Sequence, residues 1–400
     1  MSSPAGSFSS RVPCILVLVA GVVAALHAGK IPPAVPALRT ALGLSLVEAG
    51  FLISLMQIAG ATVGLAIGLA TGSVGLRRSL IAGLLLLAFA GFAGGFADGV
   101  PALLALRALE GAGFLLVAMP APALLRQLVA PDRLSAVLGL WGAYMPVGTA
   151  LALLMGPAVL ASAGWRGWWW WLATLALVAA FFAWRLVPVD TSLPSETAGR
   201  PWRQRLRDTL QHRGPWLVAL SFACYSSQWL AVVGFLPEIY AAAQVSATWI
   251  APLTALAAAV NMIGNIAAGR CLAGGLAAHH LLWTGFGAMG LGAVLAFVPA
   301  APLGPEARYL AILVFSAVGG LVPGTLFTLA VRLAPSTDTI ATTVGWTQQL
   351  SALGQLIGPP LVAWIAAQAG GWQWTGVLAA LASAAGVVIA IRLAQVRPMR

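Results

Sequence analysis

Residues 190–214 read DTSLPSETAGRPWRQRLRDTLQHRG, the one long polar break in an otherwise apolar chain of 400 residues. The break holds Arg200, Arg203, Arg205, Arg207 and Arg213 against Asp190, Glu196 and Asp208. On either side of it, apolar stretches recur about every 30 residues, each long enough for the roughly 20 apolar residues that a membrane span needs. We read spans at 12–31, 46–70, 79–97, 101–125, 135–160 and 168–187 before the break, and at 215–242, 247–268, 280–298, 309–331, 339–367 and 372–393 after it. The expected fold is an all-α membrane protein of twelve transmembrane helices. Its parts are a six-helix bundle at 1–189, a basic cytoplasmic linker at 190–214 and a second six-helix bundle at 215–400.

Composition supports this reading. Apolar residues make up 60% of the chain and charged residues 8%, against about 25% charged in a soluble domain, and the mean hydropathy is +0.94. A water-soluble enzyme is excluded. The 45 Gly and 25 Pro suit membrane helices, where both are commoner than in soluble ones. The short alternating segments of an outer-membrane barrel do not occur. Cys14, Cys224 and Cys271 stand far apart without disulfide or metal spacing, so no metal and no cofactor is expected. A phosphate-cradling Gly-Lys-Ser/Thr loop is also missing from the sequence, which argues against ATP as the driving force.

The net charge of +11 resembles a nucleic-acid signal until the charges are located. With the N-terminus inside, the inner loops and tails hold Arg11, Arg77, Arg78, Arg126, Arg133, Arg185, the five linker arginines, Arg270, Arg332, Arg392, Arg397 and Arg400. The outer loops keep Arg39, Arg166 and Arg308, while Lys30 and Arg107 fall inside spans. Positive loops face the cytoplasm, so both termini are expected there, in a multi-pass protein of the inner membrane with no nucleic-acid partner. The linker arginines read as topology and headgroup contact, or alternatively as a docking patch. Ala25-Leu26-His27-Ala28 is a poor cleavage site, so the first span is expected to be retained.

The second span carries Gly60, Gly64, Gly68 and Gly72 on one helical face, where absent side chains admit a close neighbouring helix. It runs on through Ser73-Val74-Gly75-Leu76-Arg77-Arg78. This stretch resembles the loop signature of the major facilitator superfamily: Gly68, Gly75, Arg77 and Arg78 match, while Gly72 and Ser73 stand where the family has Asp-Arg. Arg107-Ala108-Leu109-Glu110-Gly111-Ala112-Gly113, Gly164-Trp165-Arg166 and the partial pattern Gly139, Gly148, Gly156 and Pro157 add to the likeness. Pro32-Pro33-Ala34-Val35-Pro36-Ala37-Leu38, Gly50 and Phe235-Leu236-Pro237 are similar to the branch of cyanate-type anion transporters. The resemblance implies alternating access by a monomer, with spans 1, 4, 7 and 10 lining a central path. The loop residues Gly68, Gly75, Arg77 and Arg78 would serve in gating, and Gly72 in the place of the acid removes part of the family's cytoplasmic latch.

Ionisable groups inside the bilayer cost about 2.5–3.5 kcal/mol each on insertion scales and therefore mark candidate sites. His27 and Lys30 are three apart in the first span, Arg107 and Glu110 three apart in the fourth, at comparable depth. With two fixed cations against one carboxylate, the expected substrate is a small organic or inorganic anion. It would be bound by His27, Lys30 and Arg107, with Tyr225 and Gln228 contributing from the stripe Ser221, Tyr225, Gln228 of span 7. Glu110 and His27 are the candidates for carrying a coupling proton. Competing readings remain: Lys30 snorkelling to the membrane edge, Arg107–Glu110 as an internal salt bridge, and His27 as a packing residue. Trp168 to Trp171 read as an interfacial aromatic belt. The functional expectation is a proton-coupled secondary transporter of small anions. Proton-driven efflux of amphipathic drugs and a non-transporting membrane sensor are the alternatives.

Overall fold

The computed structural model describes residues 6–62, 75–130, 137, 140–189, 201–298, 303–336 and 339–396. All regular elements among the described residues are helical. Their contacts group them into two compact units, Met1–Leu44 with Ala66–Ser192, and Ser45–Leu65 with Leu193–Arg400.

The first unit contains α1 (Gly6–Gly29), α2 (Ile31–Leu42), α4 (Leu76–Gly95), α5 (Val100–Ala118), α6 (Ala121–Leu128) and α7 (Tyr144–Leu186). At 1.5 Å per residue the 43 residues of α7 would measure about 65 Å, twice the hydrocarbon core of a bilayer, about 30 Å. The helix folds back at Gly164, whose φ of 68° needs a residue without Cβ. It therefore supplies two spans, and Gly164-Trp165-Arg166 forms their turn. Arg166 closes that turn on the end of α4 with a 2.9 Å ion pair to Asp98 and a 3.3 Å bond to the Ala97 carbonyl.

The first span, Arg11–Leu42, is interrupted at Lys30, which leaves the helix between α1 and α2. Pro32 and Pro33 follow directly, and neither has an N–H to offer the carbonyl four residues back. Small residues bring α1 against the first leg of α7: a Cβ on Gly29 would lie 2.9 Å from Thr149 Cα, and one on Gly148 2.9 Å from the Ala25 backbone. On the other side of the unit, α4 packs against both α5 and α7. Gly83 and Gly113 face each other there, each Cβ position falling within 3 Å of the other's carbonyl oxygen.

The second unit contains α3 (Leu46–Ser54), which continues through a 3₁₀ turn, Leu55–Gln57, into helix as far as Thr62. It also holds α8 (Trp202–Gln211), α9 (Arg213–Ala242), α10 (Ala247–Ala259), α11 (Asn261–Ala273), α12 (Ala278–Phe297), α13 (Pro305–Gly319), α14 (Leu321–Arg332), α15 (Ile340–Ala369) and α16 (Thr375–Ala394). Ser45 and Glu48 form a capping box that starts α3. Gly50 lets α3 close on Pro360 of α15, and Gln57 Nε2 donates to Gln355 Oε1 at 3.1 Å. The pairs α10/α11 and α13/α14 are spans broken near their middles, at Val260 and Gly320. The two breaks meet, since a Cβ on Gly264 would lie 2.7 Å from Gly320 Cα.

Ten described segments are long and apolar enough to cross a membrane, and Leu46–Thr62 is a shorter apolar helix. With α7 counted as two legs, these account for the twelve helices expected. Of the glycine-rich stretch after Gly60, residues 63–74, including Gly64, Gly68 and Gly72, lie outside the described residues. Gly75 precedes α4 with φ 97°, and Arg77 donates to the Trp184 carbonyl at the end of α7, while Arg78 is exposed.

Replacing Gly83 with Val should overpack the α4–α5 crossing. The expected cost is at least about 1–3 kcal/mol, read as a lower unfolding temperature of the purified protein. Gly287→Ala, in α12 with open space around the new Cβ, should leave that temperature unchanged. An equal effect of the two would show that the crossing is not close-packed.

Candidate functional site

His27, Lys30, Arg107 and Glu110 converge inside the first unit. Their exposures are 0%, 0%, 2% and 1%, so all four are withdrawn from solvent and Lys30 does not reach outward to a membrane edge. The Glu110 carboxylate is the centre. Lys30 Nζ donates to its Oε1, His27 Nδ1 lies 3.3 Å from the same oxygen, and Arg107 Nη1 donates to Oε2 at 2.9 Å.

The broken first span explains why Arg107 stands here. A helix carbonyl normally accepts from the N–H four residues on, but the break at Lys30 and the ring of Pro32 remove those partners from His27 and Ala28. Arg107 Nη1 donates to the His27 carbonyl and Nη2 to the Ala28 carbonyl at 2.9 Å. One planar guanidinium thus satisfies two freed carbonyls and, through Glu110 one turn further along α5, anchors the break to α5. Unsatisfied backbone at membrane depth would cost several kcal/mol per group.

The second leg of α7 closes the other side. Trp168 Nε1 donates to the Lys30 carbonyl at 3.0 Å, the Trp169 ring centroid lies 4.5 Å from Lys30 Nζ, and His27 Nε2 lies 3.2 Å from the Leu172 carbonyl. Trp168 is fully buried and Trp169 is 3% exposed, so these two are site residues rather than part of an interfacial belt. The detectable signal was the run itself: four consecutive tryptophans on a helix cannot all face lipid. From α4 the nearest approach is backbone, with the Gly91 Cβ position 3.3 Å from His27 Cε1.

Tyr225 and Gln228 belong to the second unit and have partners there. Tyr225 Oη donates to Asn261 Oδ1 at 3.1 Å, and Asn261 Nδ2 donates to the Ser316 carbonyl at 2.8 Å. Trp229 Nε1 adds a 3.2 Å bond to Ser316 Oγ. This neutral network ties α9 to the broken spans α10/α11 and α13/α14. Gln228 turns to α16, accepting from Ser383 Oγ at 2.9 Å and donating to its own helix at Cys224. Ser221 Oγ and Thr325 Oγ1 are buried without a hydrogen-bond partner. Among the described residues no group of three or more His, Cys, Asp or Glu could hold a metal ion.

Residues 17–355 match the family model of the Major Facilitator Superfamily, and the chain belongs to that family. It is a multi-pass membrane transporter, not an enzyme, and works as a secondary transporter by alternating access. Its fold is similar to a solved bacterial homologue of the human lysosomal transporter Spinster, in an inward-facing and unoccupied conformation, with a TM-score of 0.70 at 16% identity over 99% of this chain and 96% of that one. No curated protein sequence matches the chain.

Removing one member of a buried ion pair leaves the other charge uncompensated, at a cost of about 3–5 kcal/mol. Glu110→Ala strands both Lys30 and Arg107 and should lower stability by that order in thermal unfolding. Adding Lys30→Met to Glu110→Gln should recover part of the loss of the single Glu110→Gln change. The expected coupling in the double-mutant cycle exceeds about 1 kcal/mol, and purely additive losses would refute the pairing.

Proposed function

We propose that this transporter moves a small organic or inorganic anion in exchange with the movement of its two halves, 1–189 and 215–400 about the linker 190–214, coupled to protons. The observation that carries the reading is the charge balance of the buried cluster. Lys30 and Arg107 are two fixed cations, Glu110 is the one carboxylate, and none of the three is exposed beyond 2%. An anion that reaches this cluster can take up Lys30 when Glu110 is protonated, because a neutral carboxyl no longer competes for the ammonium. Proton and anion then favour each other, which is symport by electrostatic linkage. A lipophilic cation gains nothing there.

Arg107 is held by two backbone carbonyls and Glu110, so Lys30 is the more available of the two cations and His27 stands within reach of the exchange. Tyr225 and Gln228 enter as the hydrogen-bonding contribution of α9, with Asn261 as partner to Tyr225. The basic loops support an inner-membrane protein with both termini cytoplasmic, and Gly68, Gly75, Arg77 and Arg78 are proposed to act in gating on that side. The transporter is proposed to act as a monomer, as the family resemblance implies.

Purified protein in proteoliposomes, given labelled small carboxylates and inorganic anions outside, should accumulate one of them in the lumen when the outside is more acidic than the lumen. Lys30→Met should cut that uptake by about 10- to 100-fold, the equivalent of about 1.4–2.7 kcal/mol. Glu110→Gln should lose gradient-driven accumulation more than it loses exchange. Exchange of lipophilic cations for protons, with no anion moved, would overturn the anion reading.

A further inference from the structure

The hydrogen-bonding geometry at His27 counts protons. His27 Nε2 faces the Leu172 carbonyl at 3.2 Å, and a carbonyl can only accept, so Nε2 carries a hydrogen. That leaves Nδ1 facing Glu110 Oε1 at 3.3 Å. A neutral imidazole with its hydrogen on Nε2 presents a lone pair at Nδ1, and an ionised carboxylate presents lone pairs only. The contact becomes a hydrogen bond when one further proton lies between the two groups, on either atom.

We infer that His27 and Glu110 together form the proton-binding site, in which a single proton is shared between Nδ1 and Oε1 when the site is loaded. This assignment rests on the proton-coupled reading above and deepens it: the carrier is the pair and not the carboxylate alone. Every packed element contributes to the balance. Lys30, at the α1–α2 break, and Arg107 on α5 are cations that oppose the extra proton. The Glu110 carboxylate on α5 and the Leu172 carbonyl on α7 hold it. From α4 the nearest group is the uncharged Gly91. Burial of all four side chains keeps water from competing for the proton.

Release is a simple transfer. When the pair is opened to water on one side, the Nδ1–H bond breaks and the proton passes to a water molecule as hydronium. The bonding electrons stay on Nδ1, leaving a neutral His27 still hydrogen-bonded through Nε2 to Leu172 and an ionised Glu110 held by Lys30 and Arg107, the ion pairs seen in the structure. Leu172 is a positioning contact: it fixes which nitrogen keeps its hydrogen, and hence which one exchanges.

The test is nuclear magnetic resonance of full-length protein with ¹⁵N-labelled histidine in lipid nanodiscs, titrated from about pH 8 to about pH 4. The chain has four histidines, and the signals absent from His27→Gln identify those of His27. The expected result is an Nε2 that stays protonated throughout, joined on acidification by either a protonated Nδ1 or an infrared carboxylic-acid band that vanishes in Glu110→Gln. An Nδ1 that stays bare with no such band across the whole titration, or a bare Nε2, overturns the assignment. The measurement needs no solute, so it stands or falls apart from the identity of the anion. In proteoliposomes, His27→Gln should lose the response to a pH gradient, which for one proton is about tenfold in accumulation per pH unit. An undiminished gradient response in that variant would equally overturn it.

Discussion

The carboxylate of Glu110 is what the first unit depends on. It accepts from Lys30 and Arg107 and faces His27, and without it the interior would hold two cations with no counter-charge. Those cations are not optional decoration, because the first span is broken. The interruption at Lys30 and the ring of Pro32 take away the donors of the His27 and Ala28 carbonyls, Arg107 supplies replacements, and Glu110 neutralises Arg107. The backbone break, the arginine and the acid therefore form one dependency. A helix end with unpaired carbonyls is made tolerable by a charge, and the charge by its counter-ion.

The two units handle the same difficulty with different chemistry. In the second unit the spans α10/α11 and α13/α14 are also broken, and their breaks meet. The groups placed there are neutral: Asn261 bridges from the Ser316 carbonyl to Tyr225, and Asn265 Nδ2 donates to Asn261 Oδ1 at 3.0 Å. A neutral network satisfies backbone and side-chain partners without storing charge, so it responds weakly to protons. The charged cluster does the reverse. Its members are held by charge, so under the proposed coupling the first unit would be the proton-responsive one, while the second is tied by neutral hydrogen bonds.

Much of this was legible in the sequence. The count of twelve spans followed from apolar stretches around the break at 190–214, and the depth match of His27 and Lys30 with Arg107 and Glu110 followed from rise per residue. Rotation was not legible. Three-residue spacing puts Arg107 and Glu110 on one face but does not say whether that face meets open space or α1, and the structure turns it onto α1. The tryptophan run was misread for the same reason: composition marks an interface, while the phase of α7 after Gly164 decides that Trp168 and Trp169 go inward. Pro32 resembles a family feature, and its lack of an N–H already left the Ala28 carbonyl in need of a donor.

The positions of the partners also set an order of events. Arg107 is fixed by backbone carbonyls that do not titrate, so it stays with Glu110 whatever the proton count. Lys30 is attached through the carboxylate and the Trp169 ring, and only the first of these changes when a proton arrives. On the proposed coupling, protonation would loosen Lys30 first, and Lys30 sits between α1 and α2, where the first span is interrupted. On the proposed proton coupling, a change in charge at Glu110 would in this way be felt at the break in the first span.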